Sequence, residues 1–154
     1  MNIPFLDLKA SVSELRSDLD EAYHRVMDSG WFLQGKETEA FESEFATYCS
    51  AKHCIGVANG LDAIELILRA LEIGPGDEVL VPSNTFIATW LAVSAVGAVP
   101  VPVEPDERTY NMDPSRVEEA ITPNMRAIIA VHLYGQPADM DPICAISKKD
   151  GMKV

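Results

Sequence analysis

The stretch Cys54-Ile55-Gly56-Val57-Ala58-Asn59-Gly60-Leu61-Asp62-Ala63-Ile64-Glu65-Leu66-Ile67-Leu68 decides how this chain is read. A short apolar run meets an Asn-Gly turn and passes at once into a longer apolar segment. That order predicts a strand over 53–58 and a helix over 61–73. A helix that starts at such a turn leaves its first backbone N–H groups unpaired and aimed at one spot, where its dipole favours negative charge. The turn is therefore a candidate phosphate seat made of backbone, with no basic side chain required. Read blandly, it is a strand-to-helix turn in which Asn59 and Gly60 supply unusual dihedrals. It carries neither the three-glycine dinucleotide fingerprint nor the P-loop lysine, so neither NAD nor ATP is favoured.

Upstream, Val12, Leu15, Leu19, Ala22 and Val26 recur at helical spacing and predict a helix over 11–29, with Ser11 capping its start and Gly30 its end. The loop Gly30-Trp31-Phe32-Leu33-Gln34-Gly35 follows, then a helix over 37–50 with Phe41, Phe45 and Tyr48 on one side. Downstream, Gly74-Pro75-Gly76-Asp77 turns the chain into a strand over 78–82, and a helix over 85–96 and a strand over 98–104 come next. Asp113 caps a helix that has Pro114 at its first position. A strand over 126–132, a helix over 140–150 and the first residues of another strand, Met152-Lys153-Val154, complete the order.

Strands that are solidly apolar and alternate with helices mark an α/β fold, a mostly parallel sheet flanked by helices on both faces. The predicted division is a helical segment over 1–52, packing on an α/β domain over 53–154. Ligands of such sheets sit beyond the carboxyl ends of the strands. The turns at 59–60, 83–86 and 134–136 fall there and are expected to face one pocket.

Composition narrows the partners. With 154 residues and 47% hydrophobic content, the chain has the makings of a globular core. Its net charge of −12 and its scattered basic residues, with Lys148-Lys149 the only adjacent pair, argue against nucleic acid. The three cysteines lack zinc-ligand spacing, predict no metal site, and read as reduced thiols of a cytoplasmic protein. Neither a leader nor a membrane-spanning run is visible, so no membrane partner is expected.

Three further motifs carry chemistry or plain structure. In Ser83-Asn84-Thr85-Phe86-Ile87-Ala88-Thr89, Phe86 either lies against a planar heteroaromatic ligand or fills the core of a capped helix. In His132-Leu133-Tyr134-Gly135-Gln136-Pro137, the His and Tyr either move a proton and hold a substituent or serve structure alone. Trp31 and Phe32 either line a substrate entrance or cover an apolar edge. Asp106 and Glu107, followed at once by Arg108, read as a solvated loop rather than an acid/base pair.

Together these stretches resemble the sugar-aminotransferase family called DegT/DnrJ/StrS, pyridoxal-phosphate (PLP) enzymes of the aspartate-aminotransferase fold. The resemblance runs through Ile3-Pro4-Phe5-Leu6-Asp7-Leu8, Ser29-Gly30-Trp31, Ala58-Asn59-Gly60-Leu61-Asp62-Ala63, Gly74-Pro75-Gly76-Asp77-Glu78-Val79, Thr85-Phe86-Ile87-Ala88-Thr89 and Val131-His132-Leu133-Tyr134-Gly135-Gln136, in that order. It implies the PLP fold type I, here as a partial large domain, and a homodimeric habit. It implies that backbone N–H groups of Gly60, Leu61 and Asp62 hold the cofactor phosphate, that Asn59 shapes the turn and that Phe86 stacks on the pyridine ring. Trp31 and Phe32 become substrate contacts. The implied reaction moves an amino group from an amino acid, glutamate, to a nucleotide-linked keto-deoxy sugar. Glu104-Pro105-Asp106 and Tyr110-Asn111 look most like members acting on a dTDP-linked 3-keto-6-deoxyhexose.

The family's aspartate for the pyridinium nitrogen belongs to the strand begun at Met152, and its Schiff-base lysine lies further on. None of Lys9, Lys36, Lys52, Lys148, Lys149 and Lys153 matches that lysine. No catalytic residue is therefore expected among these 154 residues, and by themselves they are expected to be inactive. A non-catalytic module that binds PLP or a nucleotide sugar is the alternative.

Overall fold

The computed structural model describes residues 4–154, so Ile3 of the first resembling stretch lies outside the described residues. The chain divides into two units, Met1–Gly56 and Val57–Val154. In the first unit, α1 (Leu8–Glu14) is followed by α2 (Arg16–Ser29) and α3 (Lys36–Tyr48). The predicted single helix from Ser11 starts earlier, because Asp7 caps it and its carboxylate accepts the Ala10 amide at 3.2 Å. Leu15, at φ −100° and ψ 11°, sets a kink between α1 and α2. Gly30 ends α2 as its sequence suggests, at φ 63°, where a β-carbon would be strained. Arg25 joins α2 to α3 with two bonds to the Glu37 carboxylate, 2.7 and 2.9 Å long. Phe41 and Phe45 stack on α3 with centroids 5.4 Å apart.

The predicted strand over 53–58 does not form. A strand exists by pairing, and among the described residues no segment lies beside this one. Ile55 is left 78% exposed, and the Gly56 amide bonds to the Glu42 carboxylate at 2.6 Å instead of to a neighbouring strand.

The second unit is built from α4 (Gly60–Ala70), β1 (Glu78–Pro82), α5 (Ile87–Ala95), β2 (Val99–Val103), α6 (Pro114–Glu119), β3 (Met125–Ile128) and α7 (Met140–Asp150). The three strands are parallel in the order β2-β1-β3. Beyond β3, Lys153 begins a further parallel pairing: its amide donates to Arg126 O at 3.0 Å and its carbonyl accepts from Ile128 N at 2.8 Å. The predicted start of a strand at 152–154 is therefore present.

Side chains of a strand alternate between faces, and β1 feeds two cores accordingly. Leu80 packs with Val103, Val117, Ile128 and Ile143 on the face of α6 and α7. Val79 and Val81 pack with Leu68, Val93 and Val96 on the face of α4 and α5. The helix after Asn59 is only partly covered within this chain. In α4 only Leu68 is fully buried, while Leu66 and Ile67 stay more than half exposed, because α4 has α5 on one flank and no described element on the other.

Replacing Leu80 by alanine removes a fully buried side chain from the central strand and is expected to cost about 2–5 kcal/mol. Val99→Ala, at a half-exposed position of an edge strand, is expected to cost less than about 1 kcal/mol. Urea unfolding of the full-length protein measures both.

Candidate functional site

The start of α4 is set by Asn59, which is extended at φ −163° and ψ 174°. Its Oδ1 accepts the Asp62 amide at 3.0 Å, and its Nδ2 donates to the Asp62 carboxylate at 3.0 Å. This corrects the sequence reading in one respect. Of the three amides assigned to phosphate, that of Asp62 is already capped by Asn59. The amides of Gly60 and Leu61 have no partner among the described residues. Gly60 is not at positive φ, and a β-carbon on it would meet nothing within 4 Å. Neither dihedral strain nor protein packing therefore requires glycine here. What glycine does provide is a clear approach to the two open amides, as a bound anion needs. Beside them, Val57, Ala58, Asp62, Glu65 and Leu66 line an open hollow of about 310 Å³.

Phe86 stands at the start of the neighbouring helix. Arg69 Nη2 donates to Ala95 O at 3.3 Å, so the carboxyl ends of α4 and α5 lie side by side. Counting back at 1.5 Å per residue, Gly60 lies about 14 Å from Arg69 and Ile87 about 12 Å from Ala95, and the helices start nearly level. The Asn59-Gly60 turn and Phe86 therefore share the carboxyl edge of the sheet. Phe86 is 77% exposed and does not join the core formed by these residues. The turn beneath it is firm: Ser83 N donates to Val103 O at 2.9 Å, and the Trp90 indole donates to Pro82 O at 3.3 Å.

The third turn is tied to the second through a residue whose role the sequence did not disclose. Asn84 Nδ2 donates to Tyr110 O at 3.0 Å. Buried Asn111 accepts the Leu133 amide at 2.8 Å and donates to Gln136 O at 3.1 Å. The only hint in the sequence is an asparagine in a loop after a strand. His132 is fixed in orientation, since its Nδ1 accepts the Ala138 amide at 3.0 Å. The single pocket expected for the three turns is not enclosed: a separate polar hollow of about 420 Å³ includes Asn111 and Gln136 but neither Phe86 nor Gly60. Trp31 and Phe32 belong to the first unit, where both are well exposed and the Trp31 indole donates to Leu33 O at 2.6 Å.

The lysines of the second unit lie elsewhere. In a parallel sheet the crossover helices end at the amino edge, and Lys148 and Lys149 occupy the last turn of α7, with Lys153 at the start of the next pairing. Lys149 is paired with Glu118 at 2.8 Å. Among the described residues no group of His, Cys, Asp and Glu has the geometry to hold a metal ion, and no helix is long and apolar enough to cross a membrane.

This architecture and these turns match one family over most of the chain. The pattern of the DegT/DnrJ/EryC1/StrS aminotransferase family fits residues 13–154. The chain belongs to that family. Among curated DegT-family relatives, the erythromycin biosynthesis sensory transduction protein EryC1 of Saccharopolyspora erythraea is 60% identical over 99% of this chain and 42% of its own length. The dTDP-3-amino-3,4,6-trideoxy-alpha-D-glucose transaminase of Streptomyces venezuelae is 57% identical over 99% of this chain and 40% of its own. Among solved structures, S. venezuelae DesV in complex with a ketimine intermediate superposes with a TM-score of 0.94 at 58% identity, covering 97% of this chain and 40% of that one. Bacillus subtilis NtdA with bound cofactor PMP gives 0.93 at 38% identity, covering 99% and 35%. The chain thus spans about two fifths of the length of these DegT-family proteins.

The loop that carries Tyr110 has a titratable organiser. The backbone N–H of Arg108, 2.8 Å from Asp106 Oδ1, is the main cause that holds the Asp106 carboxyl below the ordinary aspartate range, with further help from the Arg108 side chain and the Thr109 amide. A depressed folded-state pKa means that this loop contact is fully present above the unfolded-state value and is lost as pH falls through the folded one. The amide NMR signals of Arg108 and Thr109 are expected to titrate together on acidification, with a midpoint below that of an unstructured aspartate.

Proposed function

We propose that this chain is the amino-terminal, cofactor-seating part of a PLP-dependent aminotransferase. Its complete form moves an amino group from an amino acid, glutamate, to a nucleotide-linked keto-deoxy sugar. The observation that supports the reading is that α4, with two open amides at its start, and α5, with an exposed phenylalanine at its start, pack on each other and both begin at the carboxyl edge of a parallel sheet. The chemistry of that pair suits a phosphorylated aromatic ring: N–H donors for the phosphate and an apolar ring for its planar face.

When bound, PLP supplies the electron sink that transamination needs. The chain's own residues supply grip and orientation. Gly60 and Leu61 donate their amides to the phosphate, and Asn59 fixes the turn and keeps the Asp62 amide and carboxylate engaged. Phe86 presents its face to the pyridine ring. Trp31 and Phe32, exposed on a loop anchored by the Trp31 indole, meet substrate. The amine that forms the Schiff base is not among residues 1–154, in keeping with lysines of the second unit at the opposite edge of the sheet. A homodimer in the cytoplasm completes the same reading.

The decisive assay incubates the full-length protein with PLP, glutamate and a dTDP-linked 3-keto-6-deoxyhexose and looks for the amino-sugar nucleotide by mass spectrometry. Product is expected from the full-length protein and none from residues 1–154 alone. PLP binding without turnover by the full-length protein would decide for a binding module instead. The phosphate seat has its own test. Gly60→Pro deletes one open donor at a position where proline suits the helix start and follows an extended residue. It is expected to weaken PLP binding by about tenfold or more, one charge-assisted hydrogen bond, and to leave pyridoxal binding unchanged.

A further inference from the structure

Two tyrosines at the carboxyl edge have no part in the reading above. Tyr110 and Tyr134 stand at φ 59° and φ 57°, the left-handed region that a bulky side chain enters only at a cost. Nothing else among the described residues buries them, and their exposures here are 56% and 80%. Their rings meet edge to face, with centroids 6.0 Å apart and planes at 84°. One contact between two exposed rings is weak compensation for two strained backbones.

The pair is nevertheless held firmly from below. Asn111, 2% exposed, accepts the Leu133 amide at 2.8 Å and donates to Gln136 O at 3.1 Å, fixing the turn on both sides of Tyr134. Tyr110 is its neighbour in the chain, so one buried amide sets both tyrosines. A second amide, Asn84, holds the Tyr110 carbonyl at 3.0 Å and lies two residues before Phe86. The aromatic pair is thus fastened to the turn that carries the proposed ring-stacking residue.

We infer that Tyr110 and Tyr134 form a preformed aromatic corner that receives the sugar ring of the substrate, and that Asn111 is its positioning residue. This rests on the function proposed above. A phenol offers an apolar face to the C–H groups of a deoxy sugar and a hydroxyl to its oxygens. The Asn84 bond ties the corner to the turn that carries Phe86, and both lie at the carboxyl edge, where the proposed function brings the sugar.

Titration calorimetry on the full-length, PLP-loaded protein, with dTDP-glucose and dTDP as probes, tests the corner. Tyr134→Gly and Tyr110→Gly remove the ring and also the backbone strain, because glycine adopts positive φ freely. Each is expected to weaken dTDP-glucose binding by about tenfold while dTDP and PLP affinities stay within about twofold and Tm is unchanged or higher. Asn111→Asp keeps the acceptor and loses the donor. It is expected to raise KM for the sugar nucleotide about tenfold and to leave KM for glutamate within about twofold, a split that general destabilisation would not produce. Unaltered dTDP-glucose affinity in both glycine variants overturns the corner and leaves the proposed function standing. Equal losses for dTDP and dTDP-glucose overturn the sugar assignment. Failure of the unaltered protein to bind either probe overturns the function itself, and the corner with it.

Discussion

The second unit depends on the two-sided pairing of Glu78–Pro82. A strand with parallel neighbours on both edges has its backbone donors and acceptors satisfied without water, so it can be apolar on both faces. Val79, Leu80 and Val81 are fully buried for that reason, and each face then demands helices to cover it. The rigidity carries into the turn at the strand's end, where Ser83 is tied to β2 and the Trp90 indole returns to Pro82. An exposed aromatic at position 86 is held in place because its support is the least deformable part of the unit.

The two edges of the sheet carry different duties. At the amino edge, Asp77 accepts from Arg126 Nε and from the Gly74 amide, both at 3.0 Å, and its carbonyl takes the Val99 amide at 2.9 Å. Those bonds stitch the strand starts together, and the charged pairs there are structural. At the carboxyl edge the turns that carry Gly60 and Phe86 have asparagines, hydroxyls, an aromatic and open amides, and the ion pairs of that edge, Asp106–Arg108 and Asp113–Arg116, lie in the segment after β2. A chain of net charge −12 that is to seat an anion gains from this division, because backbone dipoles give local positive potential without moving the overall balance.

The sequence made the sheet legible because β1 and α7 carry their own signals: a solid apolar run after Gly-Pro-Gly-Asp, and an apolar-periodic stretch closed by Gly151. The places of Asn59, Gly60 and Phe86 at element ends were legible because they follow from the alternation of strands and helices. What failed depended on partners distant in the chain. The run over 53–58 has strand composition but no neighbour to pair with among the described residues, and Ser11 lost its capping role to Asp7, which intercepts the helix earlier. The engagement of the Asp62 amide was hidden because a capping side chain and a ligand compete for the same N–H groups, and only coordinates say which amides remain open. Asn111 was hidden for a related reason: its bonds reach 22 and 25 residues along the chain.

Asparagine sits in two of the turns, at 59 and 84, and a third, Asn111, ties down the turn at 134–136 from the loop after β2; the carboxamide explains why. It accepts from an N–H with one atom and donates to an oxygen with the other, which an aspartate cannot do. At position 111 the acceptor meets Leu133 N and the donor meets Gln136 O; a carboxylate would face that carbonyl with no proton to offer. At position 84 the partner is a carbonyl, so only the donor half will serve. At position 59 an aspartate would cap the helix about as well. It would also set a second negative charge against Asp62, beside the two amides left open for an anion. The neutral side chain caps the helix and at the same time satisfies the acid next to it. The choice of residue at the helix start therefore agrees with an anion seat, where capping alone would have been indifferent.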